Sequence, residues 1–207
     1  TQNIENEKRI FILSAAGEFT IDEASSKSKQ EIAEIFNKKI QSVVIDYKGK
    51  QVDGNAFNID VVKEFKATSK NPQQRQYALY TYTNDEGKVK YIIPMAGNGL
   101  WGPVWAYVAL KDDQNTIDGV VFDHKSETPG LGAEITQKWF RNKFTNEPKK
   151  ILDENGEYQS IQLVKGGVKN PTHEVDAIAG STITSKGVSK MLQENFKPFM
   201  LYWNKIK

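Results

Sequence analysis

The sequence predicts an α+β fold in which antiparallel strands are flanked by separate helices. Two observations predict it. Runs of alternating residues in the middle of the chain are joined by short polar turns, as in hairpins, and segments with helical spacing lie on either side of them. The sequence contains neither an internal repeat nor a low-complexity linker.

The first part of the chain predicts three helices and one strand. Gly17 is placed to end the first helix, and Ser25 or Ser26 is placed to cap the second. A Lys-Gly-Lys turn ends the strand. The predicted helices cover residues 4–16, 29–39 and 57–67, and the predicted strand covers 42–47.

The rest of the chain predicts two strand pairs, followed by two helices and a late strand. Asn84-Asp-Glu-Gly87 is a good hairpin turn, and a polar stretch over 111–115 joins the second pair. We predict an N-terminal segment, residues 1–75, that packs on a domain formed by 76–207. The predicted strands cover 76–83, 88–94, 105–110, 116–123 and 160–164, and the helices cover 133–144 and 185–196.

Composition excludes several classes of protein. With 207 residues and 38% hydrophobic residues, the chain can bury a substantial core. A net charge of +2 is too small to predict a nucleic-acid partner. The absence of cysteine excludes disulfides and iron–sulfur ligation by this chain, and with only His124 and His173 we predict no metal site.

Nothing in the sequence predicts a membrane span, because the longest apolar runs are far too short, and no signal peptide is visible. The chain starts at Thr1 without methionine, so we expect an N-terminal segment to precede it. The basic tail over 197–207 is expected to pack its aromatic side chains and leave its lysines in water.

The segment with the most chemical information is Asp176-Ala-Ile-Ala-Gly-Ser-Thr-Ile-Thr-Ser185, just ahead of the last predicted helix. Free backbone N–H groups and the positive end of the helix dipole favour an anion such as phosphate there. The hydroxyl residues taken alone are more typical of an ordinary helix cap.

Two glycine-rich segments precede it, Gly97-Asn-Gly-Leu-Trp-Gly-Pro103 and Glu127-Thr-Pro-Gly-Leu-Gly132. Pro129 fixes its φ angle, while Gly130 and Gly132 permit positive φ and let the backbone approach a flat ligand. Either segment alone is also typical of a simple turn. We predict that both loops meet near Thr182.

Together and in this order, the three segments resemble the FMN-binding domain family, with its Asp-x-x-Ser-Gly-Ala-Thr-x-Thr-Ser signature. This chain has Ala-Gly-Ser-Thr in place of Ser-Gly-Ala-Thr. The resemblance implies that Thr182 carries FMN through a phosphoester bond, made by a Mg²⁺-dependent flavin transferase that uses FAD. We predict no catalytic residue. The predicted cofactor-binding residues are Gly180, Ser181, Thr184 and Ser185 at the attachment site, Glu127 and Thr128 at the ribityl chain or ring edge, and Leu100, Trp101, Gly130, Leu131 and Gly132 at the ring.

Within that family the chain is similar to the C subunits of Na⁺-translocating NADH:quinone reductases, both in the segment over 7–17 and in the Gly-Leu-Trp-Gly-Pro loop. This resemblance implies an electron-carrying flavoprotein subunit that relays single electrons between the other subunits of a Na⁺-pumping enzyme. It also implies a membrane anchor ahead of Thr1, in the bacterial inner membrane, with this domain on the periplasmic side.

Three alternatives stay open. The G subunit of an Rnf-type ferredoxin:NAD⁺ oxidoreductase shares the attachment signature. A non-redox surface binding module would use the glycine loops for structure alone. A hydrolase would use Ser181 or Thr182 with His173 and Asp176, but closeness in sequence gives no triad geometry. We expect His173 to be an exposed or capping residue.

Overall fold

The computed structural model describes residues 2–207. Its centre is a six-stranded antiparallel sheet with the strand order β2-β1-β3-β4-β5-β6, and β7 and β8 form a separate parallel pair. The sheet and the flanking helices confirm the predicted α+β class. The strands are β1 (Ile40–Ile45), β2 (Gln51–Val52), β3 (Tyr77–Thr83), β4 (Val89–Asn98), β5 (Pro103–Leu110), β6 (Ile117–His124), β7 (Gln162–Val164) and β8 (Glu174–Asp176).

Helices cover both faces of the large sheet. Because strand residues alternate between faces, Ile92 belongs to one buried cluster, with Ile12 of the first helix, while Ile93 belongs to the other, with Phe196 of the last helix. The sheet thus lies between two cores. The helices are α1 (Gln2–Ala16), α2 (Ile21–Ala24), α3 (Lys29–Lys39), α4 (Val61–Ala67), α5 (Lys138–Asn142) and α6 (Thr182–Tyr202).

The helix ends near the N-terminus agree only in part with the prediction. Gly17 follows α1 with φ of +82°, as expected of a C-terminal glycine. The cap of α3 is Ser28, whose hydroxyl accepts the N–H of Glu31 at 3.1 Å while the Glu31 carboxylate accepts the N–H of Ser28 at 2.8 Å. The predicted caps Ser25 and Ser26 are wrong, because their hydroxyls donate to carbonyl oxygens of the unpredicted helix α2.

Both predicted hairpins are confirmed, but β4 continues through Pro94 to Asn98 and pairs there with Pro103 of β5. The loop predicted over 97–103 is therefore shorter, since Gly97 lies in the strand and only 99–102 turn the chain. This tight turn places Leu100 and Trp101 at its tip.

Two predicted helices are each broken in two. A 3-10 turn over Ala56–Asn58 precedes α4, because the Asp60 carboxylate accepts the N–H groups of Val62 and Lys63 and starts a new helix there. A second 3-10 turn, Gly132–Thr136, precedes α5. The late strand starts at Gln162. It pairs with β8, a strand that was not predicted.

The last helix begins at Thr182 rather than at Ser185 and continues to Tyr202. Thr182 is thus the first helical residue, not part of the loop ahead of the helix. At the other end, the Trp203 ring packs on Tyr91 with 5.0 Å between centroids, and Phe199 is fully buried. The predicted packing of the aromatic tail is confirmed.

The large sheet includes strands on both sides of residue 75. Ile40–Ile45 pairs with Tyr77–Tyr82 along its whole length. The division into 1–75 and 76–207 stays a prediction. Between residues 2 and 207, no helix combines the length and the apolar character that a membrane crossing requires.

Candidate cofactor site

At the start of α6, one hydroxyl side chain is exposed and others are buried. The Thr182 side chain is exposed, whereas Thr184 and Ser185 are each only 2% exposed. Gly180, two residues ahead of the helix, has φ of +73°, a left-handed conformation that strains any other residue. Of these three hydroxyls, the helix therefore presents that of Thr182 to solvent.

The two serines of the segment behave differently from each other. The Ser185 hydroxyl accepts the N–H of Ile178 at 3.2 Å, so it braces the loop that leads into α6. The Ser181 hydroxyl is buried and has no hydrogen-bond partner within residues 2–207, and it does not cap the helix. A buried orphan hydroxyl at a helix start is a ready donor for an anion.

A cavity of about 340 Å³ lies beside Thr182. Two lysines line it, Lys165 just after β7 and Lys186 in the first turns of α6, together with the carboxylate of Asp176. Two positive charges against one negative charge leave the lining positive, and this charge adds to the helix dipole, so the cavity suits a negatively charged group. No predicted cofactor-binding residue lines the two larger clefts, of about 1170 and 620 Å³.

Glu127 is the point where the two glycine-rich loops meet α6. Its carboxylate accepts the N–H of Trp101 at 2.8 Å on one oxygen and the hydroxyl of Thr184 at 2.5 Å on the other. The residue is only 5% exposed. Both oxygens are thus bound by donors of the protein, and the predicted contact of Glu127 with a ribityl chain or ring edge stays a prediction.

Glycine is required at the positions around Glu127 for a reason that differs from the predicted one. A Cβ added to Gly99 would lie 2.5 Å from one oxygen of Glu127, and a Cβ on Gly132 would lie 2.4 Å from the other. These glycines let the backbone approach a carboxylate of the chain itself. Gly130 has φ of +75°, as predicted, but Gly132 is not among the described glycines with positive φ.

The charge of Glu127 is stabilised by these contacts. Burial raises the pKa of its carboxyl group, but hydrogen bonds from the Thr184 hydroxyl and from backbone N–H groups outweigh burial, and the pKa lies below its usual value. Glu127 is therefore a buried, ionised carboxylate at neutral pH. The backbone donors are those of Trp101, Leu100 and Gly102.

The Glu127 loop also touches the chain just ahead of Thr182. A Cβ built on Gly180 would lie 3.0 Å from a methyl carbon of Leu131. The loop itself is closed by the Thr128 carbonyl oxygen, which accepts the N–H groups of Leu131 and Ala133, both at 3.1 Å. The loops therefore converge on the start of α6, as predicted, with contacts on both sides of Thr182.

Large apolar side chains around this point are exposed. Trp101 is 65% exposed, and Leu100 and Leu131 are more than 40% exposed. Sequence analysis missed Ile183 and Trp139, which are also exposed. Trp139 lies in α5, within the helix predicted over 133–144, and only its exposure identifies it. A group of exposed apolar side chains marks a place where a ligand or a partner binds.

Trp139 is held in place by two charged residues. Its ring N–H donates to the Glu134 carboxylate at 3.3 Å, and the Lys143 ammonium lies 5.0 Å from the ring centroid. Lys143 also donates to the carbonyl oxygen of Asp176 at 3.3 Å. These contacts connect α5 to the segment that leads to Thr182.

His173 was expected to be an exposed or capping residue, and the expected exposure is wrong. It is 9% exposed, its Nδ1 lies 2.7 Å from the carbonyl oxygen of Lys150, and it lines the 1170 Å³ cleft rather than the cavity beside Thr182. The geometry therefore gives no support to a hydrolase that combines His173 with Ser181 or Thr182.

Comparison with known proteins decides the family. The FMN-binding domain family matches residues 99–197, a range that contains every predicted cofactor-binding residue. The C subunit of the Na⁺-translocating NADH-quinone reductase of Vibrio anguillarum is 34% identical over 189 residues, which cover 81% of this chain and 71% of that protein. The chain belongs to this family of C subunits.

Other members of the family agree. The C subunit of Neisseria meningitidis serogroup B is 30% identical over 223 residues, covering 97% of this chain and 81% of its own. The crystal structure of the C subunit from Parabacteroides distasonis superimposes with a TM-score of 0.82 at 36% identity, covering 100% of this chain and 96% of that one. The Shewanella oneidensis structure gives 0.77 at 28% identity, with 97% and 96% covered. The resemblance to the C subunits is confirmed.

Proposed function

We propose that the protein carries FMN covalently on Thr182, through a phosphoester bond, and passes single electrons between other subunits of a Na⁺-translocating NADH:quinone reductase. One observation carries the assignment to Thr182. At the start of α6 this threonine is exposed, while the second threonine of the segment, Thr184, is buried and bonded to Glu127.

The residues around Thr182 fit an FMN phosphate. The first turn of a helix leaves backbone N–H groups without partners, and its dipole favours negative charge. The orphan hydroxyl of Ser181 adds a donor, and Lys165 and Lys186 add positive charge beside it. The ring would pack on the exposed side chains of Leu100, Trp101 and Leu131. Bound there, FMN supplies the redox chemistry and the protein supplies position and electrostatics.

Attachment needs an enzyme, since a threonine hydroxyl is a weak nucleophile without a base. The buried carboxylate in this region, Glu127, bonds Thr184 and not Thr182. We assign the step to a Mg²⁺-dependent flavin transferase that uses FAD. The Thr182 oxygen forms a bond to the phosphorus of the FMN half, the pyrophosphate P–O bond breaks, AMP leaves, and the threonine proton passes to the transferase. Asp176 is exposed and free for recognition by that enzyme.

The partners and the location that we propose are those that the resemblance to the family implies. The domain works beside other subunits in the bacterial inner membrane, on the periplasmic side, with an anchor helix ahead of Thr1. Support for partners comes from the reductase activity in the names of the relatives and from the exposed apolar side chains near Thr182. The alternative is the G subunit of an Rnf-type complex; the named relatives favour the NADH:quinone reductase.

Intact mass tests the proposal. Co-expressed with a flavin transferase, the wild-type chain should gain the mass of FMN minus water and fluoresce in a denaturing gel. Thr182→Ala should lose both signals and stay folded. Thr83→Ala is the matched control, because Thr83 is an exposed threonine at the far end of β3, and it should keep both signals. Labelling that persists in Thr182→Ala, or that maps to Thr184, refutes the assignment.

A further inference from the structure

The loop that carries Trp101 is held through its main chain alone. Glu127 accepts the N–H of Trp101 at 2.8 Å, and the hydroxyl of the neighbouring Ser126 donates to the carbonyl oxygen of Trp101 at 3.0 Å. A hydrogen bond of 2.7 Å from the N–H of Gly99 to the carbonyl oxygen of Gly102 closes the turn. The indole side chain has no part in these contacts and is 65% exposed.

The same carboxylate fixes the helix start. Its second oxygen accepts the Thr184 hydroxyl at 2.5 Å, two residues after Thr182. Glu127 is 26 residues from Trp101 and 57 residues from Thr184, so one buried anion joins three distant segments. Charge-assisted hydrogen bonds of this kind are stronger than neutral ones and fix direction as well as distance.

We propose that Glu127 is a positioning residue that sets the Trp101 loop against the acceptor helix, so that the indole meets a flavin attached to Thr182. The inference rests on the proposed function, since it needs the flavin at Thr182. Glu127 acts indirectly in this proposal. Its carboxylate binds Trp101 and Thr184; the Trp101 loop makes the contact with the flavin ring, and the helix that contains Thr184 carries the attachment point.

Variants at Glu127 and Thr184 distinguish an effect on the position of the Trp101 loop from an effect on the stability of the protein. Glu127→Ala removes both links. Thr184→Val removes only the link to the helix and keeps the side-chain volume. Glu127→Gln removes the charge but can keep both links, because its carbonyl accepts the Trp101 N–H and its amide N–H₂ donates to the Thr184 oxygen. A purely structural part for Glu127 would change unfolding free energy without changing the contact between Trp101 and flavin.

Flavin fluorescence measures that contact, because an indole touching a flavin quenches its emission by electron transfer. Each variant is co-expressed with a flavin transferase, its flavin load is measured by intact mass, and its fluorescence yield per bound flavin is compared with that of Trp101→Phe. Urea unfolding of the same samples shows which variants are folded.

We expect a several-fold higher yield for Trp101→Phe and a yield close to that value for Glu127→Ala. Thr184→Val should be intermediate, and Glu127→Gln should stay near the wild type. The double variant Trp101→Phe, Glu127→Ala should not exceed Trp101→Phe alone. If Glu127→Ala does not fold, Thr184→Val and Glu127→Gln carry the test.

A wild-type yield in folded, loaded Glu127→Ala or Thr184→Val overturns the positioning role, as does an additive effect in the double variant. An unchanged yield in Trp101→Phe overturns it as well, because the indole then does not meet the flavin. Failure of the proposed function looks different: the wild-type chain then gains no FMN mass at all.

Discussion

The carbonyl oxygen of Asn98 lies directly against Gly187, so that a Cβ added to this glycine would stand 1.9 Å from it. The end of β4 and α6 therefore meet backbone to backbone. Gly97 extends the contact, since its added Cβ would lie 2.8 Å from the Cβ of Met191. This crossing fixes the start of α6 relative to the turn that carries Trp101.

Gly187→Ala should destabilise the protein, although alanine is about 1 kcal/mol better than glycine inside a helix. The added methyl group would overlap the Asn98 carbonyl, and overpacking of this kind costs about 1–3 kcal/mol or more. Urea unfolding measures the change. Lys186→Ala, at the exposed neighbouring position, should stay within about 0.5 kcal/mol of the wild type. A stabilised Gly187→Ala would show that the two backbones do not meet.

Gly132→Ala should disturb the site more than Gly130→Ala. A Cβ at Gly132 would lie 2.4 Å from the Glu127 carboxylate and 2.7 Å from the Thr184 hydroxyl. At Gly130 nothing lies within 4 Å, so only its positive φ is strained. We expect a loss of about 1–3 kcal/mol for Gly132→Ala and about 1 kcal/mol for Gly130→Ala, measured by urea unfolding. Equal losses would mean that the carboxylate is not enclosed by Gly132.

Local patterns predicted the parts of the structure that depend on neighbouring residues. The hairpin at Asn84 was predictable because its turn and both strands lie within one short segment. The strand β8 was not, because it has three residues and its parallel partner lies across a loop. The predicted start of helix α6 is too late, because the hydroxyl residues Thr182 and Thr184 are as typical of a loop as of the helix that they begin.

The site shows the same difference between features that depend on neighbouring residues and contacts between distant segments. Thr182 stood out through its own segment, whereas the contacts of Glu127 are 26 and 57 residues away and nothing in the spacing predicts them. The glycines were noticed for a ligand, yet Gly99 and Gly132 pack on this carboxylate. Exposure of Trp139 depends on tertiary packing, which a helical pattern alone does not determine.

Lys39→Met should destabilise the protein more than Lys38→Met. The Lys39 ammonium lies 2.8 Å from the partly buried Glu18 carboxylate, which also accepts the Tyr82 hydroxyl, and 2.9 Å from the exposed Asp85. Removing Lys39 should cost more than the about 1 kcal/mol of an exposed pair and less than the about 3 kcal/mol of a fully buried one. Lys38 is 74% exposed and pairs with Asp85, so its loss should cost less than about 1 kcal/mol. Thermal or urea unfolding compares the two; equal effects would contradict a stabilising contact between Lys39 and Glu18.

Unfolding free energy should rise with pH above about 8 because of Lys8. Burial lowers the pKa of Lys8 to about 8, against a smaller opposing effect of Asp60. The unfolded chain keeps this proton up to about pH 10.4, so between the two values the unfolded state binds more protons and stability increases. Urea unfolding across this range should show a steeper rise for the wild type than for Lys8→Met. Parallel curves would contradict the lowered pKa, which NMR titration of the Lys8 side chain measures directly.

The isolated domain loaded with FMN should not oxidise NADH at an appreciable rate. Gly97 lies near the end of strand β4, and the turn after Gly99 leads into β5 instead of the helix that a dinucleotide site requires. NADH absorbance, followed with and without quinone, measures the rate, and the complete membrane reductase is the positive control. Robust turnover by the domain alone would contradict an electron relay and favour a self-contained oxidoreductase.

The pairing of β1 with β3 also bears on how the protein can be handled as a fragment. In the whole chain, the outer strand on that side of the sheet is β2, which has two residues and offers almost no free edge. A chain cut to begin at residue 76 would expose the long edge of Tyr77–Thr83, rich in tyrosine, as a template for pairing between molecules. Shortened versions for crystallography or spectroscopy should therefore keep β1 to avoid fibrous aggregates.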